Sequence, residues 1–240
     1  MTTAFYAPPA SVRDGRVLLP DDETRHAVRA LRKEAGDEIV VVDGEGGWHR
    51  VRLDRVGDRR AAGTVLETRR EVGEPTYRLT IGFGLIKNRN RFETFVEKAV
   101  ELGVQAIIPL HTMRTEKQGV KTERTRNIMV AAMKQSGRCQ LPGLADPASL
   151  PAVLDRRDAF DMVLVAHEEE KVTSTIRSAL SGMSADARVC VLVGPEGGFT
   201  DGEVDRILQA DGQAVSLGPR RLRAETAGIA VAAVVHDTLG

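Results

Sequence analysis

The chain has 240 residues, 42% of them hydrophobic, with 34 basic and 34 acidic side chains. That composition excludes a chain disordered as a whole, and the zero net charge means that a polyanionic partner cannot be inferred from the total. Two cysteines, Cys139 and Cys190, show no pairing or metal spacing, and no apolar run or secretory leader stands out, so a reduced, cytoplasmic setting is expected.

Taken in chain order, residues 17–20, 38–47, 48–56 and 62–70 are short apolar or alternating runs broken by turn residues, which predicts strands with Asp43-Gly44 as a hairpin turn. Among them His26, Arg29 and Arg32 recur every three residues, with Ala27, Ala30 and Leu31 on the apolar side, which predicts one helical patch. A small β-rich domain or barrel is expected over 1–70, followed by a linker at 71–75. Its charge is nearly balanced, 13 basic against 14 acidic residues over 1–74.

From Tyr77 onward the pattern changes to strands alternating with helices. Strands are predicted at 77–86, 105–110, 161–168, 188–195 and 214–219. Helices are predicted at 91–103, from the basic run 114–126 to about 137, near 173–181, from Thr200 with Glu203 at capping-box spacing, and at 224–238. This alternation implies an α/β domain over 73–240, built on a parallel sheet covered on both faces. Within it, residues 86–140 hold eleven lysines and arginines against five glutamates, a local basic surplus. Solvated helix surfaces explain such a surplus as well as a polyanion-binding face does.

In open α/β sheets ligands collect beyond the carboxyl ends of the strands. Three strand ends qualify: 164–170, 192–200 and 216–226. Gly194-Pro195-Glu196-Gly197-Gly198 is a side-chain-poor loop that lets main chain approach a ligand, but it lacks the spacing and lysine of a phosphate-binding loop. With Leu217-Gly218-Pro219 as a second glycine-bearing loop, a pocket lined by backbone is expected. Arg220, Arg221 and Arg223 precede the last helix, where basic charge opposes the helix dipole, so a phosphate or nucleotide is the natural partner. Glu225 suits the dipole, which gives it a structural role at least as readily as a catalytic one. The five histidines show no metal-ligand spacing, so no metal is expected.

On these residues the chain resembles the RsmE family, bacterial methyltransferases of the SPOUT superfamily that act on N3 of a uridine in 16S ribosomal RNA. The resemblance runs through HAVRALR (26–32), GDEIVVVDGEG (36–46), KAVELGV (98–104), KQSGR (134–138), LVGPEGGFT (192–200) with Glu203, and LGPRRLRAETAG (217–228). It implies a PUA-like RNA-binding β-barrel over 1–72 and, over 73–240, a parallel sheet with a C-terminal trefoil knot that binds S-adenosylmethionine. Cofactor contacts are then expected from Val165, Ala166, His167, Gly194, Pro195, Glu196, Gly197, Gly198, Leu217, Gly218, Leu222, Ala224 and Thr226. Arg223 and Glu225 are the expected catalytic pair, with Glu225 and water both open as proton acceptor. RNA contacts are expected from His26, Arg29, Arg32, Lys87, Arg89, Arg91, Arg114, Lys134, Arg138, Arg220 and Arg221, with Lys117 and Lys121 in the same basic segment. The resemblance also implies a homodimer acting on 16S ribosomal RNA, either naked or within the 30S subunit. Many family members carry an arginine where Ala4 precedes Phe5-Tyr6 here, so that contact has no counterpart, and Lys134 stands where an acidic residue is common. A SPOUT enzyme acting on another ribosomal or transfer RNA position, and a non-enzymatic RNA-binding assembly factor, are the alternatives.

Overall fold

The computed structural model describes residues 4–57, 60–116, 119–168 and 172–240; Lys117 lies outside them. The chain divides into two units, Met1–Glu74 with Val130–Leu141, and Pro75–Met129 with Pro142–Gly240. Among the described residues no helix is long and apolar enough to cross a membrane.

In the first unit, strands β1 (Ala4–Tyr6), β2 (Val12–Arg13), β3 (Arg16–Leu18), β4 (Glu38–Val42), β5 (Gly47–Val56) and β6 (Ala61–Arg70) form one sheet in the order β1-β4-β5-β6-β3-β2. Alternation sorts its faces: Val51 and Leu53 are buried with Phe5, Val17, Ile39 and Val41, while Arg52 and Asp54 of the same strand are exposed. The register of β5 on β6 shifts twice, between Arg50 and Val51 and between Leu53 and Arg55. Such shifts bend and twist a sheet. Gly63 lies at the bend, where a Cβ would stand 2.4 Å from the Arg52 carbonyl oxygen.

The predicted helical patch is α1 (Asp21–Arg25), continued by one wider π turn, His26–Ala30. The wider turn rotates the following residues off the apolar face. Ala27 is buried, while Ala30 and Leu31 of the expected apolar side are exposed.

The segment Val130–Leu141, expected wholly within the second domain, groups with the first unit, and it holds two of the expected RNA contacts in ion pairs. Lys134 is ion-paired with the buried Glu23. Arg138 is 3% exposed, and its Nε and Nη2 donate to Glu74 Oε2 at 3.0 and 2.7 Å. The other oxygen, Glu74 Oε1, accepts the N–H groups of Cys139 and Gln140 at 2.9 and 2.8 Å. A buried, fully committed guanidinium is a structural group here and not a surface cation. Burial also pushes the Cys139 thiol up to about 11, so it stays protonated at neutral pH.

The second unit is built on β7 (Arg78–Gly84), β8 (Ala106–His111), β9 (Gly143–Leu144), β10 (Ala148–Ser149), β11 (Met162–Ala166), β12 (Arg188–Val193) and β13 (Gln213–Val215). The order is β10-β8-β7-β12-β11-β13, with β9 also beside β8, and every pair is parallel. Val189 to Val193 are buried without alternation, as a sheet covered on both faces requires. Burial pushes the Cys190 thiol within this run up to about 12.

The helices are α2 (Arg89–Glu101), α3 (Thr122–Ser136), α4 (Leu150–Leu154), α5 (Ile176–Ala179), α6 (Asp201–Gln209) and α7 (Ala224–Leu239). Asn88 caps α2, and the Thr200–Glu203 capping box starts α6 as its spacing predicts. Two predicted elements are shorter than expected. The helix near 173–181 keeps only four residues, and β13 ends at Val215, after which Ser216 N–H bonds the Ser174 carbonyl and Gly218 takes φ +104°. Where α7 packs against α2, a Cβ on Gly228 would stand 2.6 Å from the Phe95 ring, itself stacked on Phe83 with centroids 4.0 Å apart. Only glycine permits this approach.

Candidate active site

The carboxyl ends of β12, β11 and β13, neighbours in the sheet, open onto a cavity of about 480 Å³. That volume lies in the roughly 300–1,000 Å³ range of small-molecule sites. The end of β11 contributes Ala166, His167 and Glu168. From the β12–α6 connection come Val193 to Phe199 and Asp201. The passage from β13 into α7 supplies Leu217, Gly218 and Arg220 to Ala224, with Ala227 one helical turn on. Arg91 at the start of α2 and Arg114 after β8 complete the lining.

The β12–α6 loop is shaped by main-chain crowding. Gly198 N–H donates to the Pro195 carbonyl at 2.8 Å, with Gly198 at φ +69°, and a Cβ on Gly194 would meet Gly198 Cα at 2.9 Å. Below the loop, a Cβ on Gly84 at the end of β7 would stand 2.4 Å from the Pro195 nitrogen. Two contacts then hold the loop from outside. Arg114 Nη1 donates to the carbonyls of Gly197 and Phe199 at 2.6 and 3.2 Å. Glu196 Oε1 accepts the Lys87 N–H at 3.2 Å.

The arginines at the mouth differ in their commitments. Arg223 occupies the N-cap position of α7 in extended conformation; its carbonyl accepts the Ala227 N–H at 2.8 Å, and its side chain makes no capping bond. The guanidinium is therefore left to the exposed rim. Arg221 stands 3.7 Å from Glu168. Arg91 is tied to Glu225 at 3.5 Å, and the other carboxylate oxygen of Glu225 is buried without a hydrogen-bond partner among the described residues.

Residues 73–236 match the family model described as an RNA methyltransferase domain, and residues 19–66 match that of an RNA methyltransferase PUA domain. The chain is 32% identical over 227 residues to the ribosomal RNA small subunit methyltransferase E of Bacillus subtilis, covering 90% of this chain and 88% of that one. It belongs to the RsmE family. An RsmE from Neisseria gonorrhoeae, solved bound to S-adenosyl methionine, is similar with a TM-score of 0.86 and 29% identity over 99% of this chain and 98% of that one. A probable rRNA-methyltransferase from Porphyromonas gingivalis gives 0.87 and 30% over 99% and 98%. The α/β fold with a parallel sheet, preceded by a PUA domain, is the architecture expected of an RsmE chain.

Most of the residues expected to hold an RsmE cofactor converge on the cavity: Ala166 and His167, the whole Gly194–Gly198 loop, Leu217, Gly218, Leu222 and Ala224. Two do not. Val165 is fully buried in the sheet between Leu192 and Ala214, one residue and therefore one face away from Ala166. Thr226 is exposed on α7, turned off the face that carries Ala224 and Ala227. Arg223 of the expected catalytic pair lines the cavity, whereas Glu225 does not and serves as the partner of Arg91.

Of the expected RNA contacts, Arg91, Arg114, Arg220 and Arg221 line the cavity. Arg114 is committed to loop carbonyls. Lys87 is paired with Glu116 at 2.6 Å, while Arg29, Arg32 and Arg89 are exposed and His26 is half-buried beside Phe5. The sequence reasoning missed Glu168, Val193, Phe199, Asp201 and Ala227 in the lining and Gly84 beneath it. A signal for Gly84 was present: two glycines, at 82 and 84, inside an apolar strand mark close approach of another backbone.

Proposed function

We propose that the chain transfers a methyl group from S-adenosylmethionine to N3 of a uridine in 16S ribosomal RNA, with Arg223 facing the target nucleotide. The observation that carries this reading is the cavity: a main-chain floor and apolar walls opening under an exposed arginine whose backbone, and not its side chain, caps the helix. The residues fit the cofactor. Ala166, Val193, Pro195, Leu217 and Leu222 suit its apolar parts, while Glu168 and Asp201 and the rim arginines answer its charged ends. When bound, S-adenosylmethionine supplies an electrophilic methyl group on a cationic sulfur.

The chain supplies the remaining steps. Uridine N3 is engaged in a Watson–Crick pair, so the target base enters unpaired or extruded. Arg223 stabilises negative charge on the uracil as N3 gives up its proton. Glu225 stands outside the cavity lining, beside Arg91, so in this reading the proton passes to water. The PUA-like domain over 1–72 engages the RNA through Arg29, Arg32 and His26, and the domain over 73–240 through Lys87, Arg89, Arg220 and Arg221. We further infer a C-terminal trefoil knot, a cytoplasmic location and a homodimer. The dimer is supported by α7, which is apolar almost all round while Ile229, Ala230, Ala233 and Val234 stay partly exposed in one copy.

The test is methylation of purified 30S subunits and of naked 16S RNA with labelled cofactor, followed by nucleoside analysis. Formation of 3-methyluridine is expected with the natural chain and not with Arg223→Ala, whose cofactor affinity should stay within a few fold. Methyl transfer to a different nucleoside, or full activity of Arg223→Ala, overturns the reading.

A further inference from the structure

We infer that Arg114 is a positioning residue for the cofactor floor, working through the carbonyls of the β12–α6 loop and not through contact with RNA. The inference rests on the cavity being the cofactor site proposed above. Arg114 follows β8, and the loop it binds follows β12; the order β8-β7-β12 places β7 between them. The side chain therefore reaches across the end of β7, where Gly84 leaves the loop room to lie down.

Its Nη1 donates to Gly197 and Phe199, the two carbonyls that flank Gly198. The stem packs where a Gly197 Cβ would be, 3.2 and 3.3 Å from Arg114 Cδ and Cβ. One residue earlier, Met113 N–H donates to Glu203 Oε1 at 2.8 Å, and Glu203 is 6% exposed. The second oxygen of Glu203 accepts the N–H and hydroxyl of Thr200 at 2.8 and 3.0 Å. Residues 113–114 thus hold the far end of the loop, from Gly197 to Thr200, by two direct hydrogen bonds and a third through Glu203. Three glycines among the five residues 194–198 would otherwise leave the loop with large conformational freedom to lose when a ligand binds. A charge-assisted donor removes that freedom beforehand, which is preorganisation of a binding surface.

The experiment measures two affinities on the full chain: S-adenosylhomocysteine by calorimetry, and 16S RNA at saturating S-adenosylhomocysteine by filter binding. Arg114→Ala should weaken the nucleoside by about tenfold and leave RNA affinity within about twofold. Arg114→Lys, with one non-planar donor group, should lose about threefold. Gly197→Ala displaces the arginine stem and should weaken S-adenosylhomocysteine by a similar factor. The double variant Arg114→Ala/Gly197→Ala should be no weaker than Arg114→Ala alone, a non-additivity that general destabilisation does not produce. Unchanged nucleoside affinity in Arg114→Ala, or a loss of RNA affinity with nucleoside affinity kept, overturns the inference. If Arg114→Ala does not fold, Arg114→Lys decides by the same pair of affinities. Failure of the natural chain to bind S-adenosylhomocysteine is a separate outcome that removes the cofactor reading itself, and the inference with it.

Discussion

Gly84→Ala adds one methyl group beneath the loop that forms the cavity floor. Its Cβ would stand 2.4 Å from the Pro195 nitrogen, 2.5 Å from Pro195 Cδ and 2.8 Å from the Gly194 carbonyl carbon. Ordinary contact begins near 3.4 Å, so the loop or the end of β7 must retreat by about 1 Å. The atoms in the way are backbone and a proline ring, which cannot rotate aside as a flexible side chain does. Overpacking of this kind costs about 1–3 kcal/mol. If the loop holds its place, that cost appears in stability as a fall in Tm of about 2–4 °C per kcal/mol. If it lifts, the cost appears in S-adenosylhomocysteine binding, where about 1–3 kcal/mol is a loss of about 5- to 150-fold. Differential scanning calorimetry and titration calorimetry on one preparation measure both parts. A variant that keeps both Tm and affinity would falsify the view that Gly84 is small because the loop rests on it.

Other substitutions probe features away from the cavity. Arg138→Ala leaves the Glu74 carboxylate buried with main-chain donors alone; a loss of about 3–5 kcal/mol is expected, and a Tm within 2 °C of the natural chain, roughly the shift for 1 kcal/mol, contradicts the structural assignment. Arg188, first by its guanidinium and then by its main-chain N–H, holds Asp161 down to about 2 from 3.8. A depressed carboxylate stabilises the fold above its unfolded value, and that contribution is lost as pH falls from 3.8 through about 2. The Tm gap between the natural chain and Asp161→Asn should therefore close over that window, and a gap constant with pH refutes the pairing. Gly202→Ala, in the first turn of α6 with no atom of the described residues within 4 Å of the added Cβ, should raise stability by about 0.5–1 kcal/mol; a loss in urea unfolding refutes this.

Fold class and the elements around the site could be read from sequence because both come from local patterns. Uninterrupted apolar strands alternating with amphipathic helices signal a covered parallel sheet, and glycine-rich strand ends signal its ligand edge. What escaped depends on facing direction and on distant partners. Val165 and Ala166 are equivalent in composition, but strand alternation sends one to the core and the other to the cavity. Thr226 belongs to the same motif as Ala224 and Ala227 yet sits on another side of the helix. Arg114 and Arg138 read as surface cations because their partners lie 83 and 64 residues away. Burial of a guanidinium cannot be anticipated until the acceptor that makes it tolerable is known.

The strand β13 has consequences for how the cavity moves. It joins the sheet at its edge by three residues, and only β11 pairs with it among the described strands. Beyond that pairing, Ser216 bonds Ser174 and bridges Thr175, so residues 213–223 have few backbone bonds to break, and their opening leaves β7 and β12 at the sheet centre in place. In amide hydrogen exchange these residues form the low-energy end of the domain, exchanging by local opening while β7 and β12 wait for global unfolding. A ligand bridging the β12–α6 loop and this segment closes that opening and slows their exchange with its own affinity.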